Sequence, residues 1–340
     1  MRILVTGADG YIGVPLMSTL LRRGHDAIGL DTGYYSDGWL YDDGFKAPPC
    51  VTKDIRRLTE SDLEGFDAVV HLAELSNDPL SQLEPRLTFE INHRGTVNLA
   101  QMCRRAGVSR FVYTSSCSVY GTGSGEYKTE ESETAPQTPY AECKLLVERD
   151  VLALADDGFA PTFLRNATAY GPSPRMRFDL VLNNLAGLAW TTGEIRLTSD
   201  GTPYRPLVHV LDICDAIACT LEAPRGAVER QIFNVGCTRE NYQIRELAGI
   251  VADAFPGCRV TLGSSDGDTR TYRVACEKIH AGVPGFAAWR DAVRGAQELR
   301  ALFERIGLSR DTFEHRTFTR VKQLRHLIRT ERIDENFFWR

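Results

Sequence analysis

A chain of 340 residues, 43% hydrophobic and 25% charged, is long enough to bury a large core and reads as two associated lobes. A formal charge of −5 at pH 7 gives no electrostatic reason to expect nucleic acid or an anionic membrane as partner. With no long apolar span, a first strand that leaves no room for a signal peptide, and nine cysteines without metal-type spacing, a cytoplasmic protein with reduced thiols and no metal is expected.

Met1-Arg2-Ile3-Leu4-Val5-Thr6 reads as a short buried strand. Gly7-Ala8-Asp9-Gly10-Tyr11-Ile12-Gly13 follows, then an apolar-periodic helix through Leu16, Leu20 and Leu21. Glycines at such a junction let the backbone approach a pyrophosphate, which the free N–H groups and dipole of the helix N-terminus attract. The spacing is Gly-x-x-Gly-x-x-Gly, distinct from the common Gly-x-Gly-x-x-Gly fingerprint, and a glycine turn without a nucleotide satisfies the same letters. Asp31, closing the strand Asp26-Ala27-Ile28-Gly29-Leu30, stands where an acid would hydrogen-bond an adenosine ribose and repel a 2′-phosphate. Thr32, Gly33 and Tyr34 bring no arginine or lysine to welcome that phosphate, which favours NAD over NADP.

Further strands are predicted at Ala68-Val69-Val70-His71-Leu72, Phe111-Val112-Tyr113-Thr114 and Pro161-Thr162-Phe163-Leu164-Arg165, with helices around 83–107 and 140–156. The alternation predicts an α/β fold, a Rossmann-type doubly wound parallel sheet whose ligands collect at the strand C-termini. After residue 166 the chain becomes turn-rich around a predicted helix at 176–190, and Gln231-Ile232-Phe233-Asn234-Val235 reads as a strand rejoining the main sheet. The expected division is a cofactor domain at 1–166, with a returning strand and helix near 207–240, and a smaller interleaved substrate lobe at 167–340. Arg316 to Arg340 is arginine-rich, yet Phe318, Val321, Leu324 and Leu327 at helical spacing predict a docked amphipathic helix.

Three residues carry the chemistry. Tyr140 and Lys144, four apart, share one helix face, and a phenol beside a cation can serve as a base. Free tyrosine titrates near ~10, so action at neutral pH needs a shift of about 3 units, which Lys144 is expected to assist. Ser116, in the hydroxyl-rich run Thr114-Ser115-Ser116-Cys117-Ser118 at a strand C-terminus, could bind a substrate hydroxyl and stabilise the oxyanion it becomes.

Together these elements resemble the extended short-chain dehydrogenase/reductase superfamily, in particular its NAD-dependent nucleotide-sugar epimerases and dehydratases, over nearly the whole chain. The resemblance implies a catalytic triad of Ser116, Tyr140 and Lys144. It implies a cofactor site of Gly7, Gly10, Tyr11, Ile12, Gly13, Asp31, Asp54, Ile55, Leu72, Ala73, Asn92 and Thr114 with Tyr140 and Lys144. It also implies substrate contacts from Ser116, Cys117, Thr168, Asn184, Arg205 and Arg270, and a homodimer through the helices near 83–107 and 140–156.

Departures from the family pattern separate reaction types. Thr168 replaces an asparagine, Ser265-Asp266-Gly267-Asp268 replaces a closing Arg-Pro-Gly-Asp so that Arg270 or Arg273 would substitute, and Cys143 replaces a serine. Glu74 stands where a small residue is usual, either as a carboxylate near the sugar or as a solvated or paired surface acid. Dehydratases resembling this family carry Asp-Glu directly after the triad hydroxyl, and decarboxylases a glutamate; here Cys117 and Ser118 occupy those positions. A thiol and a hydroxyl cannot readily do the acid–base work of two carboxyl groups. The expectation is a nucleotide-sugar epimerase, C4 by resemblance, working by transient oxidation to a keto-sugar and hydride return. An NAD-dependent nucleotide-sugar dehydrogenase or ketoreductase, a carbonyl-adjacent epimerase and a non-catalytic NAD-binding regulator stay open as alternatives.

Overall fold

The computed structural model describes residues 1–42, 44, 49–76, 78–123, 125–264 and 270–340. Seven strands form the main sheet: β1 (Arg2–Thr6), β2 (Asp26–Asp31), β3 (Cys50–Thr52), β4 (Ala68–His71), β5 (Arg110–Ser116), β6 (Ala160–Asn166) and β7 (Ile232–Val235). All pairings are parallel, in the order β7-β6-β5-β4-β1-β2-β3. Every residue of β4 and β6 is buried, as a sheet covered on both faces requires.

Alternate residues of one strand enter opposite cores. Ile3 and Val5 pack with Leu16 and Leu20 of helix α1 (Gly13–Arg22), whereas Leu4 packs with Leu99 and Val147 on the other face. That second face is covered by α2 (Thr96–Arg105) and α3 (Pro139–Leu152). On the first face α1 packs against the helix Val210–Glu222, where Cys214 and Cys219 are buried. Residues from Phe178, Leu182, Leu247, Leu299 and Phe303 build a third core beside a small sheet of Thr168–Tyr170, Tyr204–His209 and Asn241–Gln243.

Three helices depart from their predicted limits. The stretch expected as one helix at 83–107 is Pro85–Thr88, a π-helical segment Phe89–Gly95, then α2. The wider turn accompanies Asn92, whose amide takes both backbone groups of Leu75, at 2.9 and 3.0 Å. The helix expected at 140–156 starts at Pro139, where Thr138 caps it by accepting from the Ala141 N–H, and ends at Leu152. The helix expected from 176 begins at Val181, because Arg175 and Arg177 are held in a turn by Asp9 and Asp179. The C-terminal segment docks as the helix Arg320–Arg329, with Leu324 and Leu327 fully buried.

Candidate active site

Because the strands are parallel, the ends of β1, β2, β4 and β5 at Thr6, Asp31, His71 and Ser116 share one sheet edge, which opens on a cavity of about 1280 Å³. Gly7, with φ +73°, turns the chain from β1 toward α1 so closely under β4 that a Cβ there would lie 2.8 Å from the Ala73 nitrogen. A Cβ on Gly13 would lie 2.2 Å from the Gly7 oxygen. Ile12 ends this turn without a side-chain cap for α1; Val14 donates to the Gly10 carbonyl at 3.1 Å and Pro15 has no N–H, so the Gly13 N–H is the first-turn donor left beside the cavity walled by Gly10, Tyr11, Ile12 and Gly13. The Tyr11 ring itself points away, its hydroxyl donating to the Gly171 carbonyl at 2.7 Å.

Each oxygen of Asp31 accepts one backbone N–H, from Asp9 at 3.1 Å and Gly33 at 2.8 Å. A carboxylate has further lone pairs, so Asp31 retains capacity for ribose hydroxyls. Asp54 and Ile55 line the same end, with Asp54 fixed by Arg56 at 2.7 Å. These donors and acceptors suit the pyrophosphate and ribose of a dinucleotide.

Along the same edge, at the C-terminal ends of β4 and β5, lies the candidate catalytic corner. Ser116, Tyr140 and Lys144 all line the cavity, and Ser116 Oγ accepts the Ser118 N–H at 3.1 Å. The expected electrostatics are corrected here. Burial first, then the charges of Glu74 and Asp78, push the Tyr140 hydroxyl above its ordinary value, against the pull of Ser116 and Arg177. Lys144 does not dominate, because its ammonium is bound to Glu74 Oε2 at 2.5 Å and donates to the Thr114 carbonyl. Glu74 is therefore no surface acid: its side chain is 2% exposed, and Oε1 accepts from the Tyr113 hydroxyl at 2.6 Å. Burial raises its carboxyl, opposed by Lys144 and Tyr113. Beneath, His71 bridges Thr6 and Thr96 at 2.6 and 2.8 Å, and burial with the Lys144 charge holds it neutral, its pKa pushed down to about 3.

Leu72, Ala73, Thr114, Thr168, Asn184, Arg205 and Arg270 also line the cavity. Two expected contacts do not. Cys117 is 1% exposed and sends its thiol to the Arg165 carbonyl at 3.1 Å, because the 3₁₀ turn after Ser116 folds it into the core. Asn92 is fully buried and acts at one remove, clamping Leu75. The stretch 265–268 lies outside the described residues; of its expected substitutes, Arg270 reaches the cavity and pairs with Asp78, whereas Arg273 packs over the rings of Tyr127 and Tyr204. The sequence reading missed Asn166, Arg177, Asp179 and Arg320, all on the cavity wall. Arg320 carried a signal, an arginine on a helix whose apolar spacing buries its neighbours.

Comparison with known proteins accords with this geometry. A family model described as the NAD dependent epimerase/dehydratase family matches residues 3–236, more than half of the chain. The chain belongs to the NAD-dependent epimerase/dehydratase family. Among its relatives, a UDP-glucose 4-epimerase of Mycolicibacterium smegmatis is 32% identical over 271 residues, covering 75% of this chain and 82% of that protein. A UDP-glucose 4-epimerase of Lactobacillus helveticus is 29% identical over 273 residues, covering 73% and 81%. DesIV, a dTDP-glucose 4,6-dehydratase of Streptomyces venezuelae solved with NAD bound, has a TM-score of 0.77 at 27% identity, covering 92% of this chain and 100% of its own. The family's extended short-chain dehydrogenase/reductase fold and its NAD dependence thus join the seven-stranded sheet, the uncapped glycine turn and Asp31. The turn and Asp31 are the parts that would hold the dinucleotide.

Proposed function

We propose that this family member is a nucleotide-sugar epimerase that inverts C4 of the sugar. The carrying observation is the residue pair after Ser116. Cys117 and Ser118 place no carboxyl group beside the triad hydroxyl, and the Cys117 thiol is committed to the core. Elimination of water needs a paired acid and base at the sugar, whereas inversion through oxidation needs only one exchangeable proton at the hydroxyl. NAD, when bound, supplies the hydride acceptor and donor.

In this reading Tyr140 takes the proton from the sugar hydroxyl and later returns it, while Ser116, on the same cavity wall, orients that hydroxyl. Asn184, Arg205 and Arg270 face the same cavity and would hold the diphosphate, a role suited to guanidinium groups. The nucleotide would act as a fixed handle about which the keto-sugar turns. The homodimer through α2 and α3 belongs to the same reading. So does a reducing compartment, which suits nine cysteines all present as free thiols.

Tyr140→Phe tests the assignment. Its expected effect is a loss of ~10²–10⁴-fold in kcat with NAD still bound, measured on a panel of nucleotide sugars. Full turnover by the variant would remove Tyr140 from the chemistry. Mass spectrometry of denatured wild-type protein separates the reactions: stoichiometric NAD carried through purification fits epimerisation, and an empty site with steady NADH release during turnover fits a dehydrogenase.

A further inference from the structure

The arginine-rich C-terminal segment enters none of the chemistry above, yet it sends one side chain to the cavity wall. Arg320, the first residue of its helix, is 3% exposed and lines the cavity together with Tyr35, Arg177 and Asp179. Its guanidinium lies 4.0 Å from the centre of the Tyr35 ring and makes no hydrogen bond or ion pair with any other described residue. A guanidinium carries five donors, and those of Arg320 are left to the cavity.

The acids whose charge reaches Arg320 are already engaged. Asp179 accepts from Arg177 at 3.0 and 3.1 Å, and Asp31 takes the N–H groups of Asp9 and Gly33. Burial and the neighbouring Arg177 charge push the Arg320 pKa down to about 10, the direction expected of a cation lacking an anion. Two buried guanidinium groups thus stand on one wall, and the Asp179 carboxylate is bonded to that of Arg177.

The position of this wall identifies the missing anion. The Tyr35 carbonyl accepts from Arg175 at 3.0 Å, and Arg175 binds Asp9, inside the glycine turn, at 2.6 Å. Arg320 therefore stacks on a residue whose backbone is tied through Arg175 to the glycine turn at the N-terminus of α1, where a pyrophosphate is expected. We infer that Arg320 is a phosphate-binding residue of the dinucleotide site, adding a planar set of donors to those of the glycine turn. A sugar hydroxyl would not neutralise a buried cation, whereas phosphate oxygens match the guanidinium fork in geometry and charge.

The inference rests on NAD as cofactor, and calorimetry on the full-length chain stripped of nucleotide separates the two. For Arg320→Met the expected result is NAD binding weakened about tenfold or more, with adenosine, which lacks phosphate, bound as before. The same variant is expected to melt at a higher temperature than wild type when empty, because an unpaired buried charge is gone. Arg320→Lys keeps the charge without the fork and should fall between; if the methionine variant does not fold, the lysine variant decides by the same NAD-to-adenosine comparison. Unchanged NAD affinity overturns the inference, as does equal weakening of NAD and adenosine, the mark of a packing role. Weakened binding of UDP alone would move Arg320 to the substrate, and a wild-type preference for NADP would move it to a 2′-phosphate; either overturns it. A wild-type chain that binds no NAD would overturn the cofactor itself.

Discussion

Glu74 changes what the Tyr140–Lys144 pair means in this chain. In the simple picture a lysine one helical turn away lowers the phenol, yet here the ammonium is bound to a buried carboxylate, 5.4 Å from the Tyr140 ring centre. The groups facing Tyr140 are Glu74 and Asp78 on the acidic side, Arg177 on the basic side and the Ser116 hydroxyl; those facing Lys144 are Glu74, Tyr113 and His71. A base works only above its own pKa, so the acid limb of the rate profile follows Tyr140. Removing the Glu74 charge takes away the largest charge raising that phenol, so Glu74→Gln is expected to move the acid limb of kcat/KM toward lower pH. Each pH unit corresponds to ~1.4 kcal/mol between the two protonation states. A profile that drops in height without moving would make Glu74 a packing residue. Spacing within one helix made Tyr140 and Lys144 readable from the sequence. Glu74 was readable only as an oddity, since its contact with Lys144 joins the loop after β4 to α3, with α2 and β5 lying between them in the chain.

The α3 helix shows how an element sets up a residue. Thr138 caps it, accepting from the Ala141 N–H at 3.2 Å, and the same hydroxyl donates to Asp78, which in turn pairs with Arg270, far along the chain. Tyr140 is the second residue of this helix, so fraying of the first turn displaces the phenol from Ser116. Thr138→Ala is expected to cost ~1 kcal/mol in denaturant unfolding. It should also lower kcat more than NAD affinity, with Thr138→Ser restoring both. Strand cores such as β4 and β6 were legible because fully buried parallel strands are continuous apolar runs. Helix limits near 85–95 and 176–181 were not, because they depend on Asn92 holding Leu75 and on Arg175 and Arg177 holding acids, side-chain bonds that periodicity does not record. The same holds for Cys117, placed at the substrate by resemblance and turned inward by one 3₁₀ turn.

At the scale of the molecule, the C-terminal segment ties two hydrophobic cores together. Phe318 enters the core built around Phe178 and Phe303, while Leu324, Leu327, Ile333 and Phe337 enter the core behind the main sheet. Beyond the helix, the chain grips the loop that follows Asp31: the Tyr34 hydroxyl donates to the Phe337 carbonyl, and the Trp339 indole donates to the Thr32 carbonyl at 2.6 Å. Phe338 lies 4.0 Å under Arg56, the partner of Asp54. Truncation after Thr330 removes Ile333 and Phe337, each 2% exposed, and at ~1.5–3 kcal/mol per buried side chain should cost about 3–6 kcal/mol in chemical denaturation. It leaves Arg320 in the chain but frees the loop after Asp31, beside which the adenosine is proposed to bind. Calorimetry should therefore find adenosine and NAD weakened together, the opposite of the phosphate-selective loss expected from Arg320→Met. Retained adenosine affinity in the truncated chain would mean that Asp31 and its turn hold their shape through the sheet alone.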